Sequence, residues 1–111
     1  MRIESESKLV SQCLQYLKLK GIDCWRSNNN PVYDTKKKIF RKHVGILGLP
    51  DILGIMPHSG KLICIECKIG SNKQSEHQKD FEIMCKQNGA IYLLVYNIEQ
   101  LVKKFLEVEN G

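Results

Sequence analysis

No stretch of this 111-residue chain approaches the ~20 consecutive apolar residues that a membrane-spanning helix needs. Its first residues, MRIESESK, are polar and charged, so they do not read as a secretory leader. There is no internal repeat and no low-complexity linker, which leaves no sign of a solenoid or of a boundary between two domains. The five cysteines (13, 24, 64, 67 and 85) are odd in number and sit mostly in apolar patterns. That argues against a disulfide framework and suits reduced, buried thiols. Cys64-x-x-Cys67 has no second pair at suitable spacing, whereas a structural zinc needs four ligands. On a strand, moreover, residues three apart point to opposite faces, and a redox CxxC belongs at a helix start. Together these absences predict a cytoplasmic protein, in the host cytoplasm if it is phage-encoded.

Acidic side chains are also in the minority. Twelve Asp and Glu stand against seventeen Lys and Arg, for a net charge of +5 and a pI near 9.0. Such a surface attracts polyanions, of which nucleic acid is the usual one. With 42% hydrophobic and 26% charged residues, the composition is that of a globular domain. The chain reads as one domain spanning 1–111. At this size only ~60–70% of the unfolded surface is buried on folding, so a dimer interface would add welcome stability.

Periodicity supplies the elements. Leu9, Val10, Cys13, Leu14 and Leu17 recur at helical spacing between Ser5 and Lys20, and Gly21 ends the helix. Ile22 to Ser27 reads as a short strand, and Asn28 to Pro31 as a turn. Val32 to Gly48 is a hairpin or loop with a basic middle. Asp51 to Met56 and Lys61 to Ile69 read as two strands joined by the turn Pro57 to Gly60, a link short enough to make them antiparallel. A helix is predicted from Ser75 to Asn88. Ile91 to Tyr96 is an apolar strand predicted to be buried on both faces, and Asn97 caps a last helix. The order implies an α/β fold: a mixed sheet flanked by helices, with the last strand parallel to a neighbour.

Strand alternation then brings chemistry together. Glu66 and Lys68 share one face of their strand, with Cys64 and Leu62, while Ile63, Ile65, Cys67 and Ile69 share the other. Counting outward from the turn sets Asp51 roughly opposite Glu66 to Lys68. Two carboxylates and an amine therefore converge at one sheet end. Carboxylate oxygens suit a hard cation such as Mg²⁺ or Mn²⁺, which polarises a phosphodiester and acidifies water. A neighbouring lysine orients or deprotonates the attacking water, or meets developing charge. The plainer alternative is a half-buried Glu66–Lys68 pair with Asp51 in a turn.

These residues stand in a recognisable frame. Gly48-Leu49-Pro50-Asp51, fourteen intervening residues, then Glu66-Cys67-Lys68 resembles the PD-(D/E)xK nuclease signature. More narrowly, the chain resembles the virus-type replication-repair nuclease (VRR-NUC) family over nearly its whole length. Glu6 matches that family's first-helix Glu, Trp25-Arg26-Ser27-Asn28 its second-strand segment, and Gln78 its helix Gln. Two features depart from the pattern: the basic insertion from Lys36 to Lys42, and Cys67 where an aliphatic residue is usual.

The resemblance implies a restriction-endonuclease-like αβββαβ core and a metal-dependent DNA endonuclease acting on branched or junction DNA in replication, repair or recombination. It implies Asp51, Glu66, Lys68, Glu6 and Gln78 as the catalytic set. Asp51, Glu66 and the backbone carbonyl of Cys67 would hold Mg²⁺ or Mn²⁺, with Glu6 acting through a bound water or a second ion. It also implies a homodimer, with no small-molecule cofactor.

Glu6 and Gln78 each have a structural explanation as well. Glu6 lies three and four residues before Leu9 and Val10, at the end of the buried stripe, yet a first-turn carboxylate also complements the helix dipole. Ser75-x-x-Gln78 is a capping box, yet Gln78 also precedes Phe81 by three, on the sheet-facing side. Lys36, Lys37, Lys38, Arg41, Lys42 and Arg26 are candidate phosphate contacts, and Tyr33 and Phe40 candidates for base stacking or dimer packing. The alternative function is a catalytically silent DNA-binding module, or a protein-interaction domain, on the same fold.

Overall fold

The computed structural model describes residues 5–27 and 46–111 with their side chains, and the strands Val32–Asp34 and Ile39–Arg41 by their backbone. Its first element is helix α1 (Glu6–Leu19). The Ser5 hydroxyl accepts from the Lys8 amide at 3.1 Å and so starts the helix. Leu9, Val10, Cys13 and Leu17 form its buried stripe. At the far end the chain reverses through Gly21, at φ 81°, where the Ile22 amide reaches back to the Leu17 carbonyl at 3.0 Å. Glycine enters that left-handed conformation without steric cost.

Strand β1 (Asp23–Arg26) follows. Strands β2 (Val32–Asp34) and β3 (Ile39–Arg41) pair antiparallel as a separate ribbon, with Tyr33 opposite Phe40. Strands β4 (Ile52–Ile55) and β5 (Leu62–Cys67) form the predicted antiparallel pair, followed by α2 (Glu76–Gln87), β6 (Ile91–Val95) and α3 (Ile98–Asn110). The sheet order is β1-β4-β5-β6, with β6 parallel to β5. No helix among the described residues is long and apolar enough to cross a membrane.

The sheet has two unequal apolar faces. On one, Leu9, Cys13 and Leu17 of α1 and Leu101 and Phe105 of α3 pack on Ile52, Ile63, Ile65, Cys67 and Val95. Burying each such aliphatic side chain contributes roughly 1.5–3 kcal/mol, so this larger layer dominates stability. On the other face, α2 covers a smaller cluster of Cys64, Phe81, Cys85 and Tyr92. Alternation thus sends the two cysteines of the CxxC apart. Cys64 meets Cys85 with sulfurs 3.8 Å apart, and Cys67 meets Cys13 at 3.9 Å. All five thiols are free.

Strand β6 departs from expectation. It is not buried on both faces throughout: Tyr92 and Val95 are buried, but Ile91, Leu93 and Leu94 are only half-buried. The reason is its place at the sheet edge, where the two covering helices leave its rim partly open.

Candidate active site

The β4–β5 register decides where the charged residues meet. Ile52 pairs with Ile65, and one further step sets Asp51 opposite Glu66. Asp51 is fixed from two sides. Its carbonyl accepts from the Ser27 amide at 2.9 Å, and Ser27 Oγ donates to the Pro50 carbonyl. Asp51 Oδ2 in turn accepts from the Cys67 amide at 2.8 Å. The carboxylate is thereby held across the end of the central strand.

Glu66 lies on the α2 side of β5 and is only 1% exposed. Its Oε2 accepts from Gln78 Nε2 at 3.0 Å and stands 3.5 Å from Lys68 Nζ. Its Oε1 is buried without a hydrogen-bond partner. Burying an anionic oxygen unpaired is expensive, and the carboxyl responds by holding its proton. Burial, then the charge of Asp51, push it up to about 8, against the pull of Lys68. Asp51 is also raised, by burial first; the Cys67 amide opposes that, and the charge of Glu6 adds to it.

Gln78 performs two tasks through one side chain. It closes the capping box of α2, its Oε1 accepting from the Ser75 amide at 2.8 Å while its own amide donates to Ser75 Oγ at 3.2 Å. Its Nε2 meanwhile reaches Glu66. One side chain thus both closes the helix cap and touches Glu66. The approach of α2 depends on Gly48, at φ 78°: a Cβ there would lie 2.2 Å from the His77 carbonyl oxygen. The Gly48-Leu49-Pro50 segment can thus lie flush against the helix start and deliver Asp51 beside Glu66.

Glu6 comes from the opposite side of the sheet, in the first turn of α1. Its charge bears on both Asp51 and Glu66, and its Oε2 accepts from Asn72 Nδ2 at 3.2 Å. Five residues spread over the sequence therefore meet at one end of the sheet: Glu6, Asp51, Glu66, Lys68 and Gln78.

A solved chain described as a VRR_NUC domain superposes with a TM-score of 0.67, at 21% identity, over 92% of this chain and 94% of its own. This chain has the VRR-NUC fold. No family model matches the sequence, and no curated protein matches it. The likeness therefore lies in three dimensions, where the VRR-NUC arrangement of one mixed sheet between helices is reproduced nearly end to end.

The donor set fits a hard divalent cation. Two carboxylates face each other, and one buried oxygen, Glu66 Oε1, lacks a partner that a cation would supply. Among the described residues no three His, Cys, Asp or Glu side chains gather to hold an ion by themselves. The remaining positions would fall to backbone carbonyl or water, as is usual for Mg²⁺. The Cys67 amide faces Asp51, which brings this stretch of backbone to the same place.

The candidate phosphate contacts are less concentrated. Arg26 ends the edge strand β1, and its Nη2 donates to the Ser7 carbonyl at 3.1 Å and to Ser11 Oγ at 2.7 Å. That ties β1 to α1 and gives the guanidinium a structural task. Arg41 closes β3, but its side chain lies outside the described residues, as do Lys36, Lys37, Lys38 and Lys42. Two neighbours of the site had no signal in the sequence. Asn72 looks like an ordinary loop residue, and Tyr96 like the end of an apolar strand; the Tyr96 hydroxyl donates to the Asn72 carbonyl at 2.8 Å.

Proposed function

We propose that the protein is a divalent-metal-dependent DNA endonuclease of the VRR-NUC family, within the PD-(D/E)xK nucleases. The observation that carries this reading is the buried, unpartnered Glu66 Oε1 beside Asp51, with Lys68 Nζ 3.5 Å from the other Glu66 oxygen. A purely structural ion pair would leave no oxygen orphaned and would not need a second carboxylate next to it.

Asp51 and Glu66, with the Cys67 carbonyl, would hold Mg²⁺ or Mn²⁺. Bound there, the ion supplies charge neutralisation and Lewis-acid polarisation of a phosphodiester oxygen. Lys68 orients the attacking water and meets the negative charge that develops on the phosphate. Gln78 keeps Glu66 Oε2 oriented, and Glu6 adds a third carboxylate at the rim.

DNA is the substrate that the net charge of +5 favours. Branched or junction DNA, in replication, repair or recombination, is the preference that the VRR-NUC resemblance brings. The basic segment around Lys36 to Lys42 is the part we assign to phosphate contact. A homodimer belongs to the same reading. Trp25, Ile55 and Leu62 leave exposed apolar surface on the sheet, which a second copy would cover; light scattering at micromolar concentration should then report twice the 12.8 kDa chain mass.

Plasmid nicking tests the activity. Supercoiled DNA should be cut with Mg²⁺ or Mn²⁺ and left intact with EDTA. Cutting that persists in EDTA, or none with either metal, would overturn the proposal.

A further inference from the structure

We infer that Asn72 is a positioning residue that holds Glu6 at the metal-binding end of the sheet, and that Tyr96 holds Asn72. This rests on the nuclease reading of the site and adds to it a device that none of the motif residues contains.

Glu6 is a long, half-exposed side chain in the first turn of α1, and two other carboxylates lie within electrostatic reach. Repulsion from Asp51, and from Glu66 whenever it ionises, together with the attraction of the α1 N-terminus behind it, favours its swinging away. What opposes this is the hydrogen bond from Asn72 Nδ2 at 3.2 Å. A carboxylate only accepts, so the amide nitrogen of Asn72 must be the atom that faces it. An aspartate at 72 would instead present a further negative charge.

Asn72 in turn is held from two further directions. Its amide donates to the Ile69 carbonyl at 3.1 Å, and its carbonyl accepts the Tyr96 hydroxyl at 2.8 Å. Tyr96 is anchored through its own amide, which donates to Gln100 Oε1 at 2.7 Å. A relay therefore runs from the first turn of α3, through the end of β6 and the loop after β5, to the first turn of α1. It joins residues 66 positions apart in sequence across the Asn72–Glu6 bond. The loop from Gly70 to Gln74 needs no such tether to connect β5 to α2, so its link to Glu6 is a separate feature.

The test is a double-mutant cycle read by Mn²⁺ calorimetry and by the metal concentration that half-saturates DNA cleavage. Asn72→Ala should weaken Mn²⁺ binding by about fivefold or more, the size of losing one exposed hydrogen bond. The half-saturating metal concentration should rise with it, while the cleavage rate at saturating metal changes less. Tyr96→Phe should give a smaller effect of the same kind. In a Glu6→Ala background, Asn72→Ala should add nothing. Additive losses, or unchanged Mn²⁺ affinity in Asn72→Ala, would overturn the inference while leaving the nuclease reading intact. A wild-type protein that neither binds Mn²⁺ nor cleaves DNA would overturn both. Thermal melting in EDTA guards against simple unfolding: the Asn72 variants should melt close to wild type.

Discussion

Replacing Glu66 with Gln should stabilise the metal-free protein at pH 8 and change it little at pH 5. Glu66 is 1% exposed, and its carboxyl, ordinarily near 4.5, is pushed up to about 8 by burial and then by Asp51. Between those values the unfolded chain has released its proton while the folded chain keeps it. Folding then takes up a proton, so stability is fullest below the lower value and falls as pH rises toward the higher one. At about 1.4 kcal/mol per pH unit, the gap sets a ceiling of about 5 kcal/mol. The pull of Lys68, 3.5 Å away, is already included in that value; local relaxation holds the real loss lower, so about 2–4 kcal/mol is expected. Gln reproduces the neutral acid in shape and still accepts from Gln78, but it never ionises. Urea unfolding in EDTA, from pH 5 to 8.5, should show the wild-type midpoint falling relative to that of Glu66→Gln. Parallel midpoints across the range would rule out this proton linkage. Mg²⁺ or Mn²⁺ should restore the wild type at pH 8, by about 2.7 kcal/mol at a hundredfold excess over Kd, and should leave the variant unmoved.

Other expectations concern single side chains. Gln78→Glu keeps the Ser75-x-x-Glu capping box but sets a carboxylate against Glu66 Oε2; melting should show a loss at pH 8 that shrinks at pH 5, whereas Gln78→Ala, which loses the reciprocal cap bond and the bond to Glu66 Oε2, should lose at least about 1 kcal/mol at both. Gly48→Ala places a Cβ 2.2 Å from the His77 carbonyl oxygen at φ 78°. It should cost at least about 2 kcal/mol in denaturant unfolding, and a melt equal to wild type would contradict the close approach. Neutralising Lys36, Lys37 and Lys38 should flatten the dependence of log DNA affinity on log salt by about 0.9 for each phosphate that these lysines neutralise. An unchanged slope would remove that segment from the DNA surface.

Much of this arrangement was legible in the sequence because its causes are local. Ser5, Ser75 and Asn97 accept from amides three residues on, as caps do, and the apolar stripes between caps and closing glycines set the bounds of α1 and α2 within a residue. The four-residue turn from Pro57 to Gly60 left little freedom in how β4 meets β5. Counting from it therefore placed Asp51 by Glu66, and alternation placed Lys68 on the same face. The same alternation showed that Cys64 and Cys67 could not share a metal.

What stayed hidden depends on how whole elements pack. Cys64 finds Cys85, and Cys67 finds Cys13, only because α2 and α1 lie on opposite faces. Asn72 reaches Glu6 only because the start of α1 comes to the end of β5, which no spacing announces. The half-open face of β6 follows from its edge position, and strand hydrophobicity alone does not distinguish edge from centre. Gln78 was legible as a cap and as a sheet-facing side chain, but that one side chain closes the cap and reaches Glu66 at the same time is visible only in the fold.

The nuclease reading stands or falls on Asp51, Glu66 and Lys68 as a metal-dependent phosphodiesterase centre. The decisive experiment is single-turnover cleavage of a four-way DNA junction by wild type, Asp51→Asn and Lys68→Ala in Mg²⁺ or Mn²⁺, with folding checked by melting. Wild type should cleave, and either variant should lose at least about a hundredfold in rate. Folded variants that cut as fast as wild type would contradict the assignment.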